Sequence, residues 1–506
     1  MKGDFTRFGF DPRKHFSRVL QQQGRVTLDA DGNEASAILL HHLRRLTRDL
    51  FGAAGGPPDS GFALSLDKGQ SPATLWLGPG HYYVDGILCE NEQWADYAHQ
   101  PDRTPAPPVN HQGGDPLLAW LAQPNAAQAF WVYLDVWERH VSWIEDDSIR
   151  EVALGGPDTC SRAQVVWQAK ALAWDEKNWG DPRENQQACT TPLAGLLPVG
   201  TGRLAAQLDP GAASTDACIV SPGAAYRGAE NHLYRVEVHR GGTAAAGGGA
   251  SFKWSRDNGS VATRWLGTGA SGDAPTLTVS SPRGFSAGDW VELLHDALDL
   301  ANEPGQLVRV AAVDGDQLVV DAASVPGGTL MAWSATLSNP RLRRWDQRGS
   351  DILALDEGAV PIVESATTPW TWLDLEDGVQ VAFEAGGSYR SGDYWLIPAR
   401  VASQGIDWPP PDADDAMQPA QGIAHAYAPL GVLLFDAADG LQVISQCRSC
   451  LSLAATACAV PAPPERERPG NRAVAGPALR PAATRAALAT GAAGPSTRPA
   501  RRRKSG

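Results

Sequence analysis

Leucine recurs at helical spacing only once in this chain, and almost everything after that stretch is punctuated for β structure. Leu39, Leu43, Leu46 and Leu50 follow a 4-3-4 spacing, which places one apolar stripe on a helix that stops near Gly52. Asp31 and Glu34 stand ahead of it at capping-box spacing, with Asp in place of the usual Ser or Thr. The opposite face carries His41, Arg44, Arg45 and Arg48. A narrow leucine seam on a polar helix suits docking against a partner helix or sheet, or packing on the chain's own body. Residues 1–30 read as an extended arm, with Gly24 as a tight turn between the strand-like pieces Val19-Leu20 and Val26-Thr27-Leu28.

Short strands account for the rest. The 53 Gly and 38 Pro exceed average usage, as many strands joined by turns require. Leu75 to Leu77, His81 to Leu88, Phe130 to Val136 and Val141 to Ile144 read as strands. Leu233 to His239 alternates apolar and polar residues, the pattern of a half-buried strand. Asn258-Gly259 predicts a hairpin between Ser251–Arg256 and Ser260–Trp265. A second hairpin is expected from Val379–Phe383 and Tyr389–Ile397 across Gly386-Gly387. Strands at 288–293, 306–313 and 317–320 suit a small SH3-like barrel. The fold class is therefore mainly β, with a multi-domain sandwich and small-barrel body. The expected parts are an arm and helix (1–60), a β-rich domain (61–275) with a Pro-rich loop at 100–116, the barrel (276–325), a second β-rich domain (326–455) and a Pro/Ala/Arg-rich disordered tail (456–506).

Charge is divided unevenly. Residues 460–506 hold ten Arg and Lys against Glu465 and Glu467, a net +8, so the body carries −22 of the chain's formal −14. An acidic body disfavours nucleic acid and anionic membrane as its partners. No apolar run approaches a membrane span, and Met1-Lys2-Gly3-Asp4-Phe5 has no signal-peptide core, which predicts synthesis in the cytoplasm without export. Seven Cys in 506 residues read as reduced thiols rather than a disulfide framework.

No phosphate loop, dinucleotide fingerprint, HExxH or nucleophile elbow occurs, and no cofactor is implied. Cys447, Cys450 and Cys458 with His425 are weak metal candidates, because a second close pair is missing. Glu145-Asp146-Asp147 and Asp374, Glu376 and Asp377 are the two carboxylate clusters, for which turn chemistry is the simpler account. The 18 Trp could stack on sugars, although Trp131, Trp254, Trp290 and Trp395 fall in strands where packing is their usual role.

Several blocks carry a family resemblance. Met1-Lys-Gly-Asp-Phe-Thr-Arg, Asp11-Pro-Arg-Lys-His-Phe-Ser-Arg-Val-Leu20, Asp135-Val-Trp-Glu-Arg-His-Val141, Glu230-Asn-His-Leu-Tyr-Arg-Val-Glu-Val238, Phe252-Lys-Trp-Ser-Arg-Asp-Asn-Gly-Ser260 and Gly392-Asp-Tyr-Trp-Leu-Ile-Pro-Ala-Arg400 resemble, in order, a family of uncharacterised proteins encoded with phage-tail-like contractile injection systems. The N-terminal pattern is similar to phage tail and baseplate proteins. The resemblance covers roughly residues 1–450 and implies a structural or accessory part of such a particle rather than an enzyme. Its partners would be other particle subunits in an oligomeric assembly, with a cell-surface glycan or receptor as a further candidate. Phe5, Arg7, Val19, Leu20, Arg25 and Leu28 of the arm, with the four leucines of the helix, are the docking candidates. The alternatives are a receptor- or glycan-binding module and a carbohydrate-active enzyme built on Asp374, Glu376 or Asp377.

Overall fold

The computed structural model describes residues 1–57, 61–67, 74–103, 115–122, 128–155, 158–184, 189, 197, 199–211, 224–244, 249–349, 354–366, 369–436 and 440–450. Residues 104–114 of the Pro-rich loop read at 100–116 and the basic tail lie outside these residues. What is described is mainly β, with several antiparallel sheets and few helices. None of its helices is long and apolar enough to cross a membrane.

Two five-stranded sheets form a sandwich. One runs in the order 360–361, 251–255, 232–240, 394–400, 405–406, and its mate is built around 203–208 and 379–384. Tyr234, Val236, Val238, Phe252, Trp254, Trp395 and Ile397 meet Leu204, Ala206, Val379, Val381 and Phe383 between them. The expected hairpin at 379–397 is therefore not one: Val379–Glu384 and Tyr394–Arg400 pair in opposite sheets. Gly386, at φ 83°, turns the chain from one layer to the other.

A closed barrel is inserted between strands of this sandwich. Its six strands are Ala262–Ser271, Ala274–Val279, Trp290–Leu294, Gln306–Asp314, Gln317–Val320 and Arg341–Trp345. Trp265, Leu277, Val291, Leu293, Val308, Val310, Leu318 and Leu342 fill it. It thus extends beyond 276–325 at both ends, because closure needs the strands before and after that window. Asn258 and Gly259 both adopt positive φ, as the Asn-Gly signal requires, yet the strands they join do not pair with each other. Ser251–Ser255 stays in the sandwich and Ala262–Ser271 enters the barrel, so the turn is a corner between layers.

A third layer is the four-stranded sheet 440–446, 426–436, 128–141, 162–173. Its Gln128–Val141 strand takes in and extends the expected strand 130–136, whereas residues 142–144 of the second expected strand form a turn instead, closed by the Glu145 N–H donating to the Ser142 carbonyl. Phe130, Val132, Leu134 and Val136 pack one way, against Phe62, Leu77, Tyr82 and Trp167, while Trp131 and Tyr133 pack the other way near Trp174.

Cys447 is not a free thiol. It is bonded to Cys189 across 258 residues, with the Cα atoms 4.8 Å apart. Among the described residues Cys89 is a buried and Cys160 an exposed free thiol, and Cys450 is exposed. The low cysteine count pointed to reduced thiols because count carries no information on which two side chains a fold brings together. Closing so long a loop restricts the unfolded chain, and loss of such a bond typically costs about 2–5 kcal/mol. Cys447→Ser should lower the melting temperature to the value the wild type shows in reductant, and peptide mapping without reductant should recover the 189–447 pair.

Candidate functional site

Strand His232–Arg240 was expected to show one face to water. Its apolar residues do fill the sandwich, but Arg235, Glu237 and His239 on the other face are only 2%, 2% and 6% exposed. The barrel covers them. Lys253 from the adjacent strand joins this face, and Glu292, Arg343 and Trp345 project to it from the barrel wall. A charged seam therefore lies between sandwich and barrel. Glu237 accepts from Arg235 Nε at 2.6 Å and pairs with Lys253 at 3.4 Å. Lys253 also pairs with Glu292, whose other oxygen accepts from Trp345 Nε1 at 2.8 Å.

The first three residues complete the seam. The Met1 amino group donates to Tyr394 Oη at 3.1 Å, and Lys2 Nζ sits 3.0 Å from Glu237. Arg235 donates to the Met1 carbonyl, and Asn258 Nδ2 donates to the carbonyls of Met1 and Gly3. Phe5 lies edge-on to His140, and Arg400 donates to the Thr6 carbonyl at 2.7 Å. Thr6 in turn donates through its backbone N to Asp29, at the start of the helix Asp29–Phe51. Residues 7–28 are thus a strap held at both ends.

Between those ends the strap faces solvent. Phe16, Leu20, Val26 and Leu28 are 54%, 69%, 84% and 42% exposed. Arg7 and Arg25 are exposed as well, Val19 is half-buried, and Phe5 is turned into the body rather than offered outward. The pieces flanking Gly24 form no strand; only the turn is present, with Gly24 at φ 71°.

The helix sits with its leucines outward. Ala30, Ile38 and Thr47 are its buried residues. Arg44 pairs with Glu138 at 2.8 Å, Arg48 with Asp85, and Phe51 stacks on Tyr83. Gly86 makes this approach possible: a Cβ there would lie 2.3 Å from the Arg44 carbonyl. Leu39, Leu43, Leu46 and Leu50 are left 57–69% exposed. Asp31 acts at the third helical position, accepting from the Leu28 backbone, rather than as the N-cap itself.

The other sequence candidates are committed to structure. Glu145 accepts from Ser142 and pairs with Arg341, Asp146 caps a short turn, and Asp147 pairs with Arg264. Asp374 accepts from Gln380, Glu376 from Arg256 at 2.6 Å, and Asp377 occupies a positive-φ turn. Burial pushes Glu376 up to about 7 despite Arg256. Of the weak metal candidates, Cys447 is in the disulfide, His425 Nδ1 bonds Asp135 at 2.6 Å, and Cys458 lies outside the described residues. No grouping that could hold a metal occurs among the described residues. Trp131, Trp254 and Trp395 are core residues; Trp290 is half-buried.

Sequence reasoning passed over one cavity. Arg390, Asp393, Gln421, His425 and Tyr427 line a space of about 290 Å³. Arg390 donates to Tyr427 Oη and meets His425 Nε2, and burial raises Asp393 to about 7. Nothing in the spacing of these residues announces the cavity, since its lining comes from residues 199–200, 390–393 and 419–427, which are far apart in sequence.

Comparison with known families adds one match. A model described as a family of unknown function, DUF6519, matches residues 1–179 and 177–505. The chain belongs to the DUF6519 family. The match runs through the basic tail, which the resemblance above had left outside, and it carries no link to phage-tail systems. No curated protein matches, and no solved structure matches.

The seam makes the stability of this protein sensitive to acid. His140 and His239 are pulled down to about 3, first by burial and then by neighbouring cations, among them Arg343 for His140 and Lys253 for His239. Unfolded histidine titrates near 6.5, so below that pH the unfolded chain binds protons that the folded one refuses. Stability should therefore fall as pH drops from about 6.5 toward 3. His140→Gln with His239→Gln should flatten that slope in melting curves. Glu237→Gln takes the carboxylate from Lys2 and Arg235 and leaves Lys253 with Glu292 alone, and should cost about 3–5 kcal/mol at neutral pH by denaturant titration.

Proposed function

We propose that this DUF6519 protein is a structural or accessory subunit, baseplate- or tail-fibre-associated, of a phage-tail-like contractile injection particle, and that it docks through its strap and helix. The observation that carries this is the outward leucine face. A helix whose other side is already packed gains nothing from four exposed leucines unless something covers them, and full burial of one is worth roughly 1.5–3 kcal/mol. The resemblance of the N-terminal blocks to tail and baseplate proteins supports the kind of assembly. On this reading the protein is made in the cytoplasm, carries out no catalysis and works by contact with other subunits.

A second reading is a receptor- or glycan-binding module. The cavity beside Arg390 favours it, because a small space with a few convergent polar groups is the usual form of a ligand site. The carbohydrate-active enzyme is the weaker reading, because Asp374 and Glu376 each serve a local contact and Asp377 occupies a turn.

Deleting residues 1–52 would remove the Met1 and Gly3 carbonyls that accept from Arg235 and Asn258 and the Lys2 partner of Glu237, so the test must keep residues 1–7 and the helix backbone. Leu39→Ser with Leu43→Ser, Leu46→Ser and Leu50→Ser should melt within a few degrees of the wild type. Affinity purification of tagged protein from its native host should recover sheath, tube and baseplate subunits with the wild type and lose them with this variant. A quadruple variant that still enters particles at full occupancy would refute the reading.

A further inference from the structure

We propose that the cavity beside Arg390 binds a small apolar α-amino acid, with the ligand carboxylate on Arg390 and its ammonium group on Asp393. This rests on the reading of that cavity as a ligand site and names the class of ligand.

Two opposite charges line the cavity without pairing with each other. Among the described residues Arg390 forms no ion pair; its guanidinium donates to Tyr427 Oη at 3.3 Å and meets His425 Nε2 at 3.2 Å. Both partners are neutral. His425 Nδ1 lies 2.6 Å from the carboxylate of Asp135, which is also paired with Lys170 at 2.7 Å. The ring proton therefore sits on Nδ1, and Nε2 is left as an acceptor. Burial holds the His425 pKa below its ordinary value, so the ring stays uncharged at neutral pH. Arg390 is thus held in place without being neutralised. Two of its five N–H donors are used, which leaves three for a ligand. A planar fork of this kind takes a carboxylate through two parallel bonds.

Asp393 is the other charge. It is only 8% exposed, and it too forms no ion pair among the described residues. The backbone N–H groups of Ile423 and Arg390 face its carboxyl. Burial raises it to about 7, and Arg390 offsets this only in part, the behaviour of a carboxyl without a close cation. Gly200 leaves room beside it, since a Cβ there would collide with Asp393 Oδ2.

The rest of the wall is largely apolar. Val199, Pro419, Ala420 and Ile423 contribute to it, and a space of about 290 Å³ stands at the small end of ligand cavities. A ligand carrying only an anion would set that charge against Asp393, and one carrying only a cation would leave Arg390 unpaired. A sugar without charge answers neither group. A zwitterion with a short apolar side chain satisfies both charges and the wall together.

The test is calorimetric titration of the full-length protein with L-valine and with two molecules of nearly the same shape. α-Hydroxyisovalerate keeps the carboxylate and replaces the ammonium by a hydroxyl; isobutylamine keeps the ammonium and lacks the carboxylate. Wild type should bind L-valine about tenfold or more tightly than either, because each analogue loses a charged hydrogen bond. Arg390→Gln and Asp393→Asn should each weaken L-valine binding by about tenfold or more, with unchanged melting curves as the check on folding. If either variant folds poorly, the comparison of the three ligands on wild type decides alone.

Equal affinity for L-valine and α-hydroxyisovalerate overturns the proposal, since Asp393 would then have no part in binding. A folded Asp393→Asn variant that binds L-valine like wild type overturns it too, as does a wild type that ignores millimolar L-valine. In that last case, a sugar whose binding is lost in Arg390→Gln would leave the ligand-site reading standing without the amino acid. If no sugar binds either, both fall.

Discussion

The ion pair between Lys2 and Glu237 sits where three parts of the molecule meet, and the rest depends on that junction being neutralised. Glu237 belongs to the sandwich, Glu292 and Trp345 to the barrel, and Lys2 to the strap's first anchor. Buried charges are costly unless each is paired, and here Lys2, Arg235 and Lys253 share Glu237, Glu292 and the aromatic faces of Tyr394 and Trp345, while Arg343 donates to the Gly259 carbonyl. An apolar seam would hold the layers with less penalty for a missing piece. The charged one accepts only the right occupant, because removal of a member takes a partner from its neighbours in a dry interface. That selectivity fixes the sandwich, the barrel and the start of the strap in one relative placement.

From that placement the outer features follow. With residues 1–6 anchored and the helix held by Arg44, Arg48 and Phe51, the strap has both ends fixed and keeps its apolar side chains in solvent. A tethered loop has less freedom to lose on docking than a free terminus, which favours its use as a contact element.

Much of the fold was legible in the sequence, and the failures share a cause. The helix, its stop at Gly52, the mainly β class and the barrel strands follow from local periodicity and turn residues. Local signals say that Asn258-Gly259 turns the chain and cannot say that the two strands then part into different layers. Alternation in 233–239 correctly assigns Tyr234, Val236 and Val238 to a core. It reads the charged side as wet because burial of Arg235 and Glu237 depends on Glu292, Trp345 and Lys2, which are distant in sequence. The leucine stripe was plain, but which face meets the body turns on Glu138, Asp85 and the space at Gly86. The Cys189–Cys447 bond had no local signature at all.

That bond has a topological consequence. Every strand of the sandwich and of the barrel lies between its two ends, so the covalent loop encircles both. A protease that cuts a surface loop anywhere inside it leaves two pieces that stay linked through sulfur and through the shared sheets. The nicked molecule would migrate as intact chain until it is reduced, and would keep its seam, strap and outward helix face meanwhile.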